Sequence, residues 1–508
     1  MTTERYDIII VGGGAAGGAL ARTLAPGGKK ILVLERGPWL PREKRNWDPV
    51  EVAVKGCYET TESWLDGDGR KIHTNCHYNV GGNSKFWGAA LFRLRERDFE
   101  KVTHPDGISP EWPLKYRDFE PYYARAERIY DVRGKRGVDP TEPPIREEYP
   151  YPPILHEPRI QEISDGLKKM GYAPFHLPTA IRRDEETPFL SECIRCNTCD
   201  GFPCLVNAKA DGELNGVRPA IAHPNVTLLT GVRVSRLLTS PSGREVTGVE
   251  TEKEGKTKVY KGDIVVVSCG AINSAALLLR STNDRHPRGL ANGSDQVGRN
   301  YMFHLLGFMV AVSRKPNSTV FQKSIGLNDF YWGEKEYPYP MGNIQTTGKI
   351  LPEMLEGILK KPLKGKSFEK MAAHSTDWWF MTEDVPDPDN RITWEKGTVK
   401  IRYRENNRAS FDRFRKRWVE ILKKIGECDY LAVDVKVDIT NVAHQCGTCR
   451  FGTDPKTSVL DLHCRAHEVD NLYVVDTSFY PSSAALNPTN TLLANALRVG
   501  DHLLERMK

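Results

Sequence analysis

A chain of 508 residues is too long for one ordinary hydrophobic core, so two domains or an interleaved pair are expected. Its net charge of +6 and pI near 8.6 come from scattered charges; this weak basicity suits anionic cofactors or substrates and lacks the clustered footprint of a nucleic-acid binder. No apolar run reaches membrane-spanning length, a first strand signal near residue 5 leaves no room for a secretory leader, and eleven cysteines suit reduced thiols, so a cytoplasmic protein is expected.

Residues 5–11 (RYDIIIV) read as a buried parallel strand, residues 19–24 as a helix, and residues 31–34 as a second strand ending in Glu35. Between the first two lies Gly12-x-Gly14-x-x-Gly17, which completes the strand–glycine–helix–strand–acid pattern of a dinucleotide site. Gly12 permits a tight turn, Gly14 lets backbone approach a pyrophosphate, and Gly17 lets helix and strand pack closely. The candidate cofactor residues here are Gly12, Gly14, Ala15, Ala16, Gly17, Glu35 and Arg36, with Glu35 placed to accept from a ribose hydroxyl.

A polar stretch to about residue 75 reads as a surface excursion. A second glycine segment at 79–88 adds Gly81, Gly82, Asn83 and Ser84 as cofactor candidates. Residues 105–158 are rich in Pro, Tyr and charge, with one amphipathic helix at about 119–129. Cys193-x2-Cys196-x2-Cys199-x4-Cys204 has the spacing of a metal or iron–sulfur site, but Gly201-Phe202-Pro203 crowds the last thiol. Free thiols or one local disulfide is the preferred reading, with no metal assigned. Strands are expected at 226–229, 232–237 (with Val234 as a cofactor candidate), 245–250 and 264–267, then a helix at 275–279.

A strand-rich aromatic block covers about 301–435, interrupted by a basic amphipathic insertion at 349–371. Trp378-Trp379 beside His374 reads either as a stacking platform for a sugar or aglycone or as core. Near the C-terminus, His444 lies in a Gly-punctuated turn region, and a buried strand at 471–476 ends in Asp476. Asn487 then reads as a helix N-cap, with Pro488 in the first helical position, Thr489 following and a helix at about 492–507. Nucleotide-binding elements at both ends and in the middle imply interleaved domains rather than two beads.

These segments together resemble the glucose–methanol–choline (GMC) family of FAD oxidoreductases. The resemblance rests on the 12–35 unit, residues 79–99 (NVGGNSKFWGAALFRLRERDF), 297–304 (VGRNYMFH) and the 444–487 tail, and it runs almost end to end, weakest over 135–190 and 349–371. Residues 111–114 (EWPL), 321–331 (FQKSIGLNDFY) and 382–393 (TEDVPDPDNRIT) are similar to bacterial pyranose oxidases and C-glycoside 3-oxidases.

The resemblance implies an α/β Rossmann-like FAD-binding domain (1–100, 205–300 and 436–508) interleaved with an α+β substrate-binding domain (101–204 and 301–435), as in GMC and p-hydroxybenzoate hydroxylase-like proteins. It implies His444 as general base, Asn487 as the group holding the substrate oxygen, hydride transfer to flavin N5, and Asp476, Asn487, Pro488 and Thr489 in the cofactor site. His304 reads as structural. Phe86 stands where fungal pyranose oxidases carry a histidine bonded to FAD, so non-covalent FAD is expected.

The implied reaction is oxidation of a secondary hydroxyl of a pyranose or glycoside, at C3 of a C-glycoside or glucose, with O2 reduced to H2O2. The alternatives are a pyranose 2-oxidase, a dehydrogenase passing electrons to a quinone or cytochrome and, in another class, an electron-transfer flavoprotein component with an iron–sulfur cluster. Expected partners are the sugar substrate and an electron acceptor, with no nucleic acid and no membrane. The insertion reads as a lid, a membrane-surface helix or an oligomer contact; a solvated loop touching a second subunit of a homo-oligomer is the default.

Overall fold

The computed structural model describes residues 4–441 and 443–508. The β-branched run near the N-terminus forms the strand Arg5–Val11, which is parallel to Ile31–Leu34 on one side and to Lys256–Val267 on the other. Ile8 sits opposite both Ile31 and Ile264, and all three are buried, as a strand covered on both faces requires. The sheet grows outward to Val226–Leu229 at one edge and, through the antiparallel strands Val246–Lys253 and Arg233–Thr239, at the other. Leu472–Val474 joins in parallel on Lys256–Val267, so the C-terminal segment closes the same sheet that the N-terminus opens.

The helix Ala15–Leu24 packs against the C-terminal helix Thr489–Arg506. At Gly500 a Cβ would lie 2.6 Å from Thr23 Cγ2, which is how closely the two helices approach. Asn487 does not cap the latter helix: the N-cap is Pro488, without a side-chain cap, and the Asn487 amide is drawn away by tertiary partners described below.

A second, six-stranded antiparallel sheet runs in the order Tyr430–Lys436, Leu305–Val312, Ser375–Thr382, Asn343–Thr346, Ile325–Leu327 and Phe175–His176. Strand alternation sends neighbouring residues to opposite faces. Trp378 is fully buried and packs edge-on against Trp418 of the helix Arg408–Lys424, with ring centroids 4.8 Å apart, so it is core and not a sugar platform. Trp379 faces the cleft between the sheets.

The 349–371 insertion contributes the helix Pro352–Leu359 and the start of Phe368–His374. Leu355 and Met371 are buried against Val310, Val312 and Val433; Lys349 turns inward to donate to Ser375 O at 2.6 Å, while Lys360, Lys361, Lys364, Lys366 and Lys370 are exposed. The polar stretch expected as a surface excursion instead folds in. Ser63–Leu65 and Lys71–His73 form a four-stranded sheet with Arg391–Glu395 and Thr398–Arg402, and Val52, Ala53 and Glu59 line the cleft. Among the described residues no helix is long and apolar enough to cross a membrane.

Candidate active site

The cleft between the two large sheets is a cavity of about 560 Å³. One end is built from glycine backbone. Gly12 has φ +109°, and a Cβ there would lie 2.2 Å from Ser268 O; one on Gly17 would lie 2.0 Å from Gly12 O. Gly14 differs: a Cβ there would meet nothing within 4 Å, so its missing side chain leaves an open cradle at the start of a helix.

The second glycine segment is stitched onto the first. Gly81 N donates to Gly13 O at 2.8 Å, and Gly82, at φ +55°, faces Gly14. Ser84 braces this loop, its hydroxyl donating to Gly81 O and accepting from Gly212 N at 2.9 Å. Glu35 accepts from Gly13 N and Gly37 N, each at 2.8 Å, which fixes its carboxylate at the end of its strand beside the cleft. Burial pushes its pKa up despite those two donors. Asp476 accepts from Gly270 N at 3.0 Å, Ser274 Oγ at 2.5 Å and Ser478 N at 2.8 Å, tying the last strand to the middle of the sheet.

Gly12, Gly14, Ala15, Ala16, Glu35, Arg36, Gly81, Gly82, Asn83, Ser84, Val234, Asp476, Pro488 and Thr489 all line this one cavity. Gly17 lies beneath it as a packing contact. Phe86 also lines it, stacked on His77 with centroids 3.7 Å apart.

At the other end stand His444 and Asn487. His444 Nε2 is 3.2 Å from Asn487 Nδ2, and Asn487 Oδ1 accepts from Gln345 Nε2 at 3.0 Å. His444 Nδ1 is 3.2 Å from Nδ1 of the buried His304, whose Nε2 is 3.0 Å from the Ser483 carbonyl. Both histidines have left-handed backbones, at φ +58° and +72°, conformations that non-glycine residues hold only where surrounding structure enforces them. Burial pushes the His444 pKa well below the ordinary histidine value, with His304 and Lys323 adding to the effect, so the imidazole is unprotonated and neutral at neutral pH.

The wall beside His444 carries an ion pair, Lys323 Nζ to Asp200 Oδ2 at 2.6 Å, with Thr347 Oγ1 also donating to Asp200 at 2.7 Å. Burial alone would raise the Asp200 carboxyl; Lys323 and these donors more than reverse it, leaving it below the ordinary carboxylate range. Gln345 Oε1 is buried without a hydrogen-bond partner among the described residues, an acceptor left over in the wall of the cleft.

The sequence pointed to neither Gln345 nor the Lys323–Asp200 pair, and it read His304 as structural. The only local signal for Gln345 and Lys323 is a polar side chain on an otherwise buried strand or loop. His374 lies off the cleft, with Nδ1 3.2 Å from Ser313 O. All eleven cysteines are free thiols, and burial pushes Cys193 up to about 11. Among the described residues no three His, Cys, Asp or Glu side chains converge as a metal-binding group.

Comparison with known proteins agrees with this construction. Residues 6–306 match the N-terminal GMC oxidoreductase domain and residues 395–496 the C-terminal one. The chain is 31% identical to 6'''-hydroxyparomomycin C oxidase of Streptomyces lividus, over 98% of this chain and 91% of that protein. It is 30% identical to paromamine 6'-oxidase of Streptomyces fradiae, over 97% and 90%. The fructose dehydrogenase large subunit of Gluconobacter japonicus is 26% identical, over 100% and 99%. Among solved structures, pyridoxine 4-oxidase from Mesorbium loti superposes with a TM-score of 0.67 at 19% identity, covering 98% of this chain and 99% of that one, a likeness of fold. With a glycine cradle, a strand-end acid and an open cleft of the right construction for a dinucleotide, the chain belongs to the GMC oxidoreductases, with FAD as its cofactor.

Proposed function

We propose that this chain oxidises a secondary hydroxyl of a pyranose or glycoside to a ketone, at C3 of a C-glycoside or of glucose, and returns the electrons to O2 as H2O2. The observation that carries the reading is the His444–Asn487 pair, 3.2 Å apart in the cleft wall, surrounded by groups that suit a polyol: Gln345 Oε1 as acceptor, and Lys323 with Asp200 as donor and acceptor. Relatives named for oxidising paromamine, hydroxyparomomycin C and fructose support a carbohydrate substrate.

In this reading FAD would be held by the backbone of Gly12, Gly14, Gly81 and Gly82, with Glu35 at its ribose, and when bound it supplies the acceptor for the hydride leaving the carbinol carbon. The protein's own work is the proton and the geometry. The substrate hydroxyl would bind against both Asn487 Nδ2 and His444 Nε2, displacing their mutual 3.2 Å contact; its O–H bond breaks as Nε2 takes the proton, and burial keeps that nitrogen unprotonated beforehand. The helix Thr489–Arg506 starts at the cleft wall, where Pro488 and Thr489 lie, and its positive end favours negative charge developing nearby.

Anaerobic mixing with glucose, a C-glucoside and simple alcohols, followed by air, tests the reading. Bleaching of the flavin by a sugar, with peroxide on re-aeration and a 3-keto product by NMR, is the expected result; a 2-keto product would make the enzyme a pyranose 2-oxidase. Bleaching without reoxidation by air would favour a dehydrogenase, as in the relative named fructose dehydrogenase. No bleaching by any sugar would overturn the substrate class. His444→Ala should slow flavin reduction by roughly a hundredfold or more while leaving FAD bound.

A further inference from the structure

We infer that His304 is a positioning residue that sets the tautomer of His444, so that the catalytic base presents an unprotonated Nε2 to the substrate. The inference rests on the proposed role of His444 as base. Its anchor is the Ser483 carbonyl, which can only accept a hydrogen bond. His304 Nε2, 3.0 Å from that oxygen, must therefore carry a hydrogen. His304 is buried and its pKa lies below the ordinary value, with burial as the main cause, so the ring is neutral and its Nδ1 is a bare acceptor. His444 Nδ1, 3.2 Å away, must then be the donor, and a neutral His444 with hydrogen on Nδ1 has its lone pair on Nε2, the nitrogen facing Asn487.

No carboxylate makes a hydrogen bond or ion pair with either ring among the described residues. The charged groups that reach His444 electrostatically are Lys323 and Asp200, which are paired with each other. The one that reaches His304 is Glu383, itself held by His104, Ser109 and the Ala484 amide. A neutral imidazole thus does what a carboxylate does behind other catalytic histidines: it accepts the Nδ1 hydrogen, and it does so without placing a negative charge in the buried site. When Nε2 takes the substrate proton, the Nδ1–H···Nδ1 bond becomes charge-assisted and stabilises the imidazolium.

The test compares His304→Leu, which removes the acceptor, with His304→Asn, whose side-chain oxygen restores an acceptor near the Nδ1 position, and with His444→Ala. Two readouts are taken: anaerobic flavin reduction by sugar across pH, and 15N NMR of histidine-labelled enzyme, the His444 signal being assigned by its loss in His444→Ala. The expected result is an Nδ1-protonated His444 in the unsubstituted enzyme. His304→Leu should give a mixed tautomer, a reduction rate lower by about 10- to 100-fold, within the ~10²–10⁴-fold that a positioned base contributes, an acid limb moved to lower pH, and little change in KM. His304→Asn should recover most of the rate. An Nε2-protonated His444 in the unsubstituted enzyme, or a His304→Leu rate and acid limb equal to those of the unsubstituted enzyme beside a slow His444→Ala, would overturn the inference. Normal reduction by His444→Ala would instead overturn the base assignment on which it rests. The NMR readout needs no substrate, so it decides the tautomer even if the sugar assignment fails.

Discussion

Lys323 Nζ and Asp200 Oδ2 stand 2.6 Å apart on the wall of the cleft, and the space for that ammonium exists because residue 88 is glycine: a Cβ there would overlap Nζ at 1.8 Å. Lys323 is buried, and its ammonium bonds Asp200 alone among the described residues, leaving two donor hydrogens toward the cavity. The double variant Lys323→Met/Asp200→Asn removes both charges together and so avoids stranding one of them. It is expected to lower kcat/KM for a glucoside roughly 10- to 100-fold, the scale of a hydrogen bond to a charged group, with FAD content unchanged. An unchanged kcat/KM would show that the pair only braces the loop.

The two glycines of the first loop should respond in opposite ways. Gly14→Val puts a side chain into open space, so the fold should persist while FAD is lost, seen as a colourless protein that melts like the FAD-stripped parent. Gly12→Ala forces φ +109° on a residue with a Cβ and drives that atom into Ser268 O, costing about 2 kcal/mol or more in chemical denaturation.

The acid limb of activity follows from the His444 environment. A general base works unprotonated, and burial lowers its pKa, so the active form persists as pH falls past the ordinary histidine value. The rate of flavin reduction should stay level from high pH down to about pH 6.5 and fall only below it, measured by stopped flow under anaerobic conditions. A limb centred well above that value would mean that another group is being titrated.

Phe86 offers no nucleophile, and its ring is stacked on His77. Acid precipitation should therefore release intact FAD into the supernatant; yellow colour retained in the pellet would show a covalent bond from another side chain.

What was legible in the chain was what is local. Gly12, Gly14, Gly17 and Glu35 fall within one strand–helix–strand unit, and their spacing is set by backbone geometry that any sequence must obey. His444 and Asn487 were legible only through resemblance. Asn487 shows the limit of local reasoning: capping chemistry favoured it as N-cap, but Gln345 and His444 compete for the same amide and hold it. Lys323 and Gln345 line the cleft and His304 backs His444 from strands and turns far in sequence from the C-terminal tail, and no spacing rule foretells which face of a strand will meet that tail. For Trp378 and Trp379 strand alternation does assign opposite faces, but which face is the core depends on where the helix Arg408–Lys424 lands.

The threading of the first large sheet bears on how the enzyme is made. Arg5–Val11 is made well before one of its two neighbours, Lys256–Val267, which in turn pairs with Leu472–Val474, and His444 cannot meet Asn487 until residue 487 has been translated. Such long-range pairings are slow to form, so the Arg5–Val11 strand keeps one edge unpaired until residues 256–267 are made. The His444–Asn487 pair cannot assemble before residue 487 is made, so a product terminated earlier carries the glycine loop without that pair.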